Sequence, residues 1–240
     1  MPKDELDDFE ILTREPALFI RKEKLLVIGD LHIGREQKLA EQGMFFENFG
    51  KTTGRRIAEL YGMKKAKGAV LLGDVKDSIT YPSKEEHDEL LAFFYELREL
   101  HVMIAMGNHD AHLKEIIDRS GYGIKTAREI LIGRYAFMHG NALPSEEAMR
   151  KGYMIIAHGH IAAEEHGEKR KIFLVAKIGR GAESQYENFN KSIKLVVVPA
   201  FSSTIIGSEI SGETKSHIPV FRKNIFDFNS AKIMRMFKYA

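Results

Sequence analysis

Cysteine is absent from the 240-residue chain, so no disulfide can form. Any metal it binds must be held by His, Asn and carboxylates. The same absence fits a reducing compartment. Neither sign of charge dominates. The 36 Lys and Arg stand against 34 Asp and Glu, a formal net charge of +2, so composition carries no nucleic-acid signature. Only the ends are uneven, acidic at Asp4, Glu5, Asp7, Asp8 and Glu10 and basic at Arg222, Lys223, Lys232, Arg235 and Lys238. No apolar run approaches the roughly 20 residues needed to span a bilayer. The start, Met1-Pro2-Lys3-Asp4-Glu5, is too acidic and polar for a signal peptide. A soluble, cytoplasmic protein without a membrane partner is expected. No repeat, low-complexity stretch or Pro/Gly/Ser-rich linker divides the chain. Residues 1–240 are therefore expected to form a single domain, for which 44% hydrophobic residues provide a sizeable core.

What is present is a recurring pattern of short apolar runs, each ending in a polar cluster. Leu25 to Ile28 runs into Gly29-Asp30, and Ala69 to Leu72 into Gly73-Asp74. Val102 to Met106 runs into Gly107-Asn108-His109-Asp110. Tyr135 to Met138 runs into His139-Gly140, and Tyr153 to Ile156 into Ala157-His158-Gly159-His160. Runs this short, bounded by glycine, read as buried strands. Helical patterns lie between them, over Phe46 to Tyr61 and over Lys84 to Leu100. The second places Leu90, Leu91, Phe94 and Leu97 on one face, and Ser83 with Glu86 forms a candidate capping box. The alternation predicts an α/β fold with a largely parallel sheet in the first half. Lys171 to Val175 and Ile193 to Pro199 predict strands of a second sheet, and Phe221 to Ala240 adds one or two further elements.

Open α/β sheets bind ligands beyond the carboxyl ends of their strands, where these clusters fall. Taken singly, each cluster is ordinary. Asp after a strand often caps a helix, Gly-Asp makes turns, and a His in a turn can be merely satisfied. His158 and His160 point the same way in an extended segment. Together the clusters offer imidazole and carboxylate, the donors that suit Mn, Fe and Zn.

The ordered series Asp30-Leu31-His32, Gly73-Asp74-Val75-Lys76-Asp77, Gly107-Asn108-His109-Asp110, His139-Gly140 and His158-Gly159-His160 resembles the five motifs of the calcineurin-like metallophosphoesterases. Val198-Pro199-Ala200-Phe201 with Gly207-Ser208 resembles a group of small archaeal and bacterial phosphoesterases. That group is similar to the nuclease subunit of the double-strand-break repair complex. The resemblance implies a four-layer αββα sandwich of two mixed β-sheets flanked by helices. It implies two divalent metal ions, with Mn first and Fe, Zn, Ni or Mg as alternatives. Asp30, His32 and His160 would hold the first ion. Asn108, His139 and His158 would hold the second, and Asp74 would bridge them. His109 would be the general acid, oriented by Asp110. One position departs from the motif: Ala157 stands where the family usually has Gly.

The activity so implied is hydrolysis of a phosphodiester, with nucleic acid or a cyclic nucleotide as candidate substrate. A phosphomonoesterase acting on a nucleotide or phosphoprotein is the alternative. A metal-binding interaction scaffold is a third reading, disfavoured because none of the seven expected ligands is missing. A dimer is one candidate oligomeric state. Arg35 is read as a solvated helix start in preference to a phosphate contact, and Asp77 has two readings, a place behind the metal ligands or a surface helix cap. The basic runs at Lys64-Lys65-Ala66-Lys67 and Lys169-Arg170-Lys171 are read as solvated surface in preference to a track for a nucleic-acid backbone. His87 reads as an exposed helix residue, and Glu36, His112, Asn141 and His166 are given no role.

Overall fold

A computed structural model describes residues 8–236 apart from 166 and 210. The acidic residues at 4, 5 and 7, His166 and Lys238 lie outside the described residues. Strand β1 (Phe9–Ile11), β2 (Leu18–Ile20), β3 (Leu25–Ile28), β4 (Gly68–Leu71), β5 (Val102–Ala105) and β6 (Lys125–Ala127) form one sheet in chain order. From β3 to β6 the pairing is parallel, and β1 and β2 add antiparallel neighbours. The second sheet contains β7 (Glu129–Ile132), β8 (Tyr135–Met138), β9 (Tyr153–Ile156), β10 (Ile161–Glu165), β11 (Glu168–Ile178), β12 (Lys194–Val197), β13 (Ser208–Glu209) and β14 (Phe226–Arg235). Its order is β13-β10-β11-β12-β9-β8-β7, and β14 pairs with β11.

Period-two alternation explains why the two sheets stack. In β3, Leu25 and Val27 face the layer between the sheets, while Leu26 and Ile28 face the first set of helices. In β9, Tyr153 and Ile155 meet that same middle layer, and Met154 and Ile156 face the second set. These central strands are apolar on both faces because each sheet is covered on both faces there. The first outer layer is α1 (Arg35–Ala40), α2 (Phe49–Met63), α3 (Lys84–Leu97) and α4 (Leu113–Ser120). The second is α5 (Glu146–Met149), α6 (Gly181–Gln185), α7 (Gly212–His217) and α8 (Pro219–Arg222). The expected four-layer α/β architecture is present. Among the described residues no helix is long and apolar enough to cross a membrane.

Two local expectations change. The five motif strands divide between the sheets, β3 to β5 in the first and β8 and β9 in the second, so the motifs meet across a sandwich. The capping box is half formed. Ser83 Oγ accepts the Glu86 amide at 3.1 Å, but the Glu86 carboxylate accepts the amides of Asp77 and Ser78, each at 2.9 Å. Glu86 is buried and fastens the loop after β4, where the Asp77 amide also reaches the Ile33 carbonyl at 2.9 Å.

Candidate metal centre

The five polar clusters meet at the carboxyl ends of β3, β4, β5, β8 and β9. The chain turns sharply at these ends, and Asp30, His32, Asp74, His158 and His160 all have left-handed backbones, with φ of 53°, 46°, 49°, 64° and 40°. Such conformations are uncommon for residues other than Gly and cost free energy. Strand ends locked in the core hold them. Gly73, at φ 76°, lets two strand ends approach closely, because a Cβ there would lie 2.6 Å from the Gly107 amide nitrogen.

Ala157 needs no glycine-like backbone, since its φ is not positive. Its methyl is instead accommodated by Gly29, where an added Cβ would lie 2.5 Å from the Ala157 Cβ. Gly159 is not left-handed either, so it supplies no compensating freedom; its lack of a Cβ admits Ile218.

Asp30, His32 and His160 have donor atoms mutually within 4.8 Å, and so do Asp74, His139 and His158. His32 Nε2 lies 3.2 Å from His160 Nε2, and His139 Nε2 lies 2.9 Å from His158 Nδ1. Asp74 Oδ2 stands between the groups, 3.6 Å from His32 Nε2 and 3.2 Å from His139 Nε2. Asn108 is in the same turn as His109 and is exposed.

The remaining nitrogens of two of these rings are occupied. His32 Nδ1 is 3.1 Å from Asp77 Oδ1, and His139 Nδ1–H donates to the Leu72 carbonyl at 2.7 Å. Such bonds select the tautomer that leaves Nε2 free as a ligand. Ring nitrogens this close need a proton or a cation between them, and beside buried carboxylates a cation satisfies both kinds of donor at once. The donor set therefore fits two divalent ions.

The charges point the same way. Burial alone would raise the carboxyl of Asp30, but His160 and His139 hold it below its ordinary value. Burial opposes ionisation of Asp74 too, yet His139, the His109 amide and His32 hold it far below the carboxylate range. Burial would push His139 down, but its hydrogen bond to Asp74 and the charges of Asp30 and Asp74 raise it to about 9. Burial and the neighbouring His139 push His158 down to about 4. Two buried carboxylates thus demand positive charge beside them, which divalent cations supply.

Asp110 does not orient His109. Its buried carboxylate accepts the backbone amides of Asp74, Val75 and Gly107, each at 2.8 Å. Three amides left open where β4 and β5 end need an acceptor, and Asp110 is the side chain that reaches them. It therefore positions the loop that carries Asp74. His109 is oriented by the Asp77 carbonyl, which accepts from its Nδ1–H. Its Nε2 is 4.0 Å from Asp74 Oδ2.

Asp77, left by the sequence between a surface cap and a place behind the metal ligands, takes the second and is buried between His32 and Lys38. Donor atoms of His32, Asp77 and His109 also approach within 4.8 Å. Asp77 accepts from both rings, His32 at its carboxylate and His109 at its carbonyl, which accounts for that group as support for the two rings. Lys76, in the same motif, is fully buried and donates to the carbonyls of Ser78 and Thr80, so it shapes the loop. Lys171, assigned to a basic surface run, donates to the carbonyls of Ala200 and Ser202. Burial and the nearby Arg56 push its amine down to about 8. The segment it holds is laced to the first motif, as the Phe201 and Ser202 amides donate to the carbonyls of Gly29 and Asp30.

Residues 23–234 match the profile of the family described as Calcineurin-like phosphoesterase. Comparison with curated protein sequences finds no match. Among solved structures, the chain is similar to the nuclease MPE of Pseudomonas putida, at 17% identity and a TM-score of 0.59, covering 85% of this chain and 92% of that one. YfcE, a phosphoesterase from E. coli, aligns at 13% identity and a TM-score of 0.41 over 78% of this chain and 82% of that one.

Proposed function

The chain belongs to the calcineurin-like phosphoesterase family, hydrolases of phosphate esters, and on that premise we propose that it is a two-metal phosphodiesterase. One observation carries this reading: Asp74 Oδ2 lies within 3.6 Å of ring nitrogens from two separate ligand groups, as a bridging carboxylate requires. Asp30, His32 and His160 would hold one ion, and Asn108, His139 and His158 the other. Manganese is the first choice for a set of imidazole, carboxylate and amide oxygen without thiolate. When bound, the ions supply Lewis acidity that makes water a nucleophile near neutral pH and offsets charge on the phosphate oxygens.

The chain's own residues do the rest. His109 donates through Nδ1 to the Asp77 carbonyl, so in the protonated ring Nε2 carries the transferable proton. It delivers that proton to the departing oxygen, which would otherwise leave as an alkoxide. Asp77 and the Leu72 carbonyl fix the tautomers of His32 and His139. Asp110 holds the Asp74 loop still while charge moves. The P. putida protein of like fold bears the name nuclease, which makes nucleic acid the first diester to try.

The test is hydrolysis of bis-p-nitrophenyl phosphate and p-nitrophenyl phosphate with Mn²⁺, with chelator and with His109→Ala. Metal-dependent cleavage of the diester, lowered in the variant, is expected. Cleavage of the monoester alone would replace the diesterase with a phosphomonoesterase. Absence of both activities in protein that binds two ions would favour a narrow substrate or the scaffold.

A further inference from the structure

A cavity of about 520 Å³ opens beside the second sheet's half of the centre, with His158 and His160 in its wall. Its size lies within the range of sites for small ligands and nucleotides. Lys169 from β11, Ser208 and Glu209 from β13, and His217 from α7 line it as well. These four come from three separate segments, and none is an expected metal ligand.

The wall is built onto the ligand loop. The Ser208 amide donates to the His160 carbonyl at 2.7 Å, and Ser208 pairs with Ile161 where β13 joins β10. Gly207, at φ 105°, makes the approach possible, since a Cβ there would stand 2.5 Å from the His160 carbonyl oxygen. Buried Thr214 donates through its hydroxyl to the Glu209 carbonyl at 2.8 Å, tying α7 to β13. The cavity wall therefore keeps a set position relative to His160.

We propose that this cavity is a subsite for a second, non-reacting phosphate of the substrate, so that the preferred substrate is an oligonucleotide. The inference rests on the diesterase reading. Lys169 supplies a point charge, and Ser208 and His217 supply donors of the kind that bind phosphate oxygens. Glu209 accepts from a sugar hydroxyl or base amine, which a nucleotide offers and bare phosphate does not. His109, the leaving-group acid, does not line the cavity. The occupant is therefore the part of the substrate that stays with the phosphoryl group.

The experiment compares kcat/KM of the Mn²⁺-loaded full chain on a thymidine dinucleotide with no terminal phosphate, one at the 5′ end, or one at the 3′ end. A terminal phosphate at one of the two ends is expected to raise kcat/KM about ten-fold. Lys169→Ala should abolish that gain, and Lys169→Arg should retain most of it. Calorimetric binding of the same dinucleotides to chelator-treated protein should show the same preference without turnover. Equal rates on all three dinucleotides, or a gain that survives Lys169→Ala, would overturn the subsite while leaving the diesterase intact. Failure of the parent protein to cleave bis-p-nitrophenyl phosphate would overturn the diesterase reading and the subsite with it.

Discussion

The Nδ1 of His32 lies 3.1 Å from the Oδ1 of Asp77, and both side chains are buried. Burial would raise the Asp77 carboxyl, but His32 and Lys38 hold it well below the ordinary carboxylate range. It is thus an ionised acceptor that makes His32 a stronger ligand through its other nitrogen. Asp77→Asn keeps the shape and removes the charge. Affinity for Mn²⁺ should fall by roughly 10- to 100-fold, read by calorimetric titration. Unchanged affinity would show that Asp77 serves the loop and not the ligand.

His109→Ala should leave the two-ion stoichiometry intact, because His109 is in neither the Asp30, His32 and His160 group nor the Asp74, His139 and His158 group. The value of kcat should fall by about 10²- to 10⁴-fold. The loss should be greater for an alkyl leaving group than for p-nitrophenolate, which departs without a proton. Equal losses on both substrates would remove the general-acid role.

Gly29 and Ala157 share one space, and a Cβ placed on Gly29 would lie only 2.5 Å from the Ala157 methyl. Gly29→Ala should destabilise the chelator-treated protein by about 1–3 kcal/mol in urea unfolding, through overpacking. Combining it with Ala157→Gly should recover much of that loss, since the two residues touch. Strictly additive effects would contradict the contact.

Glu36 is buried, and burial raises its carboxyl from 4.5 to about 7, aided by the charges of Glu89 and Glu86. One oxygen accepts the Gly34 amide at 2.8 Å, and the other has no hydrogen-bond partner among the described residues. The folded state therefore holds a proton that the unfolded chain releases between pH 4.5 and about 7. The stability this group contributes is complete below pH 4.5 and is lost as pH rises through about 7. Glu36→Gln should stabilise the protein at pH 8 by on the order of 2 kcal/mol and flatten that part of the pH profile. A variant with the parent profile would refute the assignment.

The motif strands were legible because each is a short apolar run stopped by glycine or a polar residue. The predicted runs at Leu25, Tyr135 and Tyr153 coincide with β3, β8 and β9. The helix expected over Lys84 to Leu100 ends at Leu97, and the one expected to start at Phe46 starts at Phe49. Apolar periodicity marks a buried face, whereas ends depend on local caps. The buried face of α3 also includes Phe93, a neighbour of the predicted Phe94.

Sequence alone determined the donor inventory and its order along the chain, because strand ends and residue types are local properties. It could not find the partners that Asp77, Asp110, Glu86 and Lys171 take in the fold. All four carry charge or can, and a charge in a linear chain defaults to solvent. Only the stacking of two sheets decided that Asp110 serves three backbone amides, that Asp77 backs His32, and that Lys171 supports the segment beside Asp30. The physical reason is that burying a polar group is costly unless it finds a complement. Which complement lies within reach depends on contacts between residues far apart in the chain, and those exist only once the sandwich has closed.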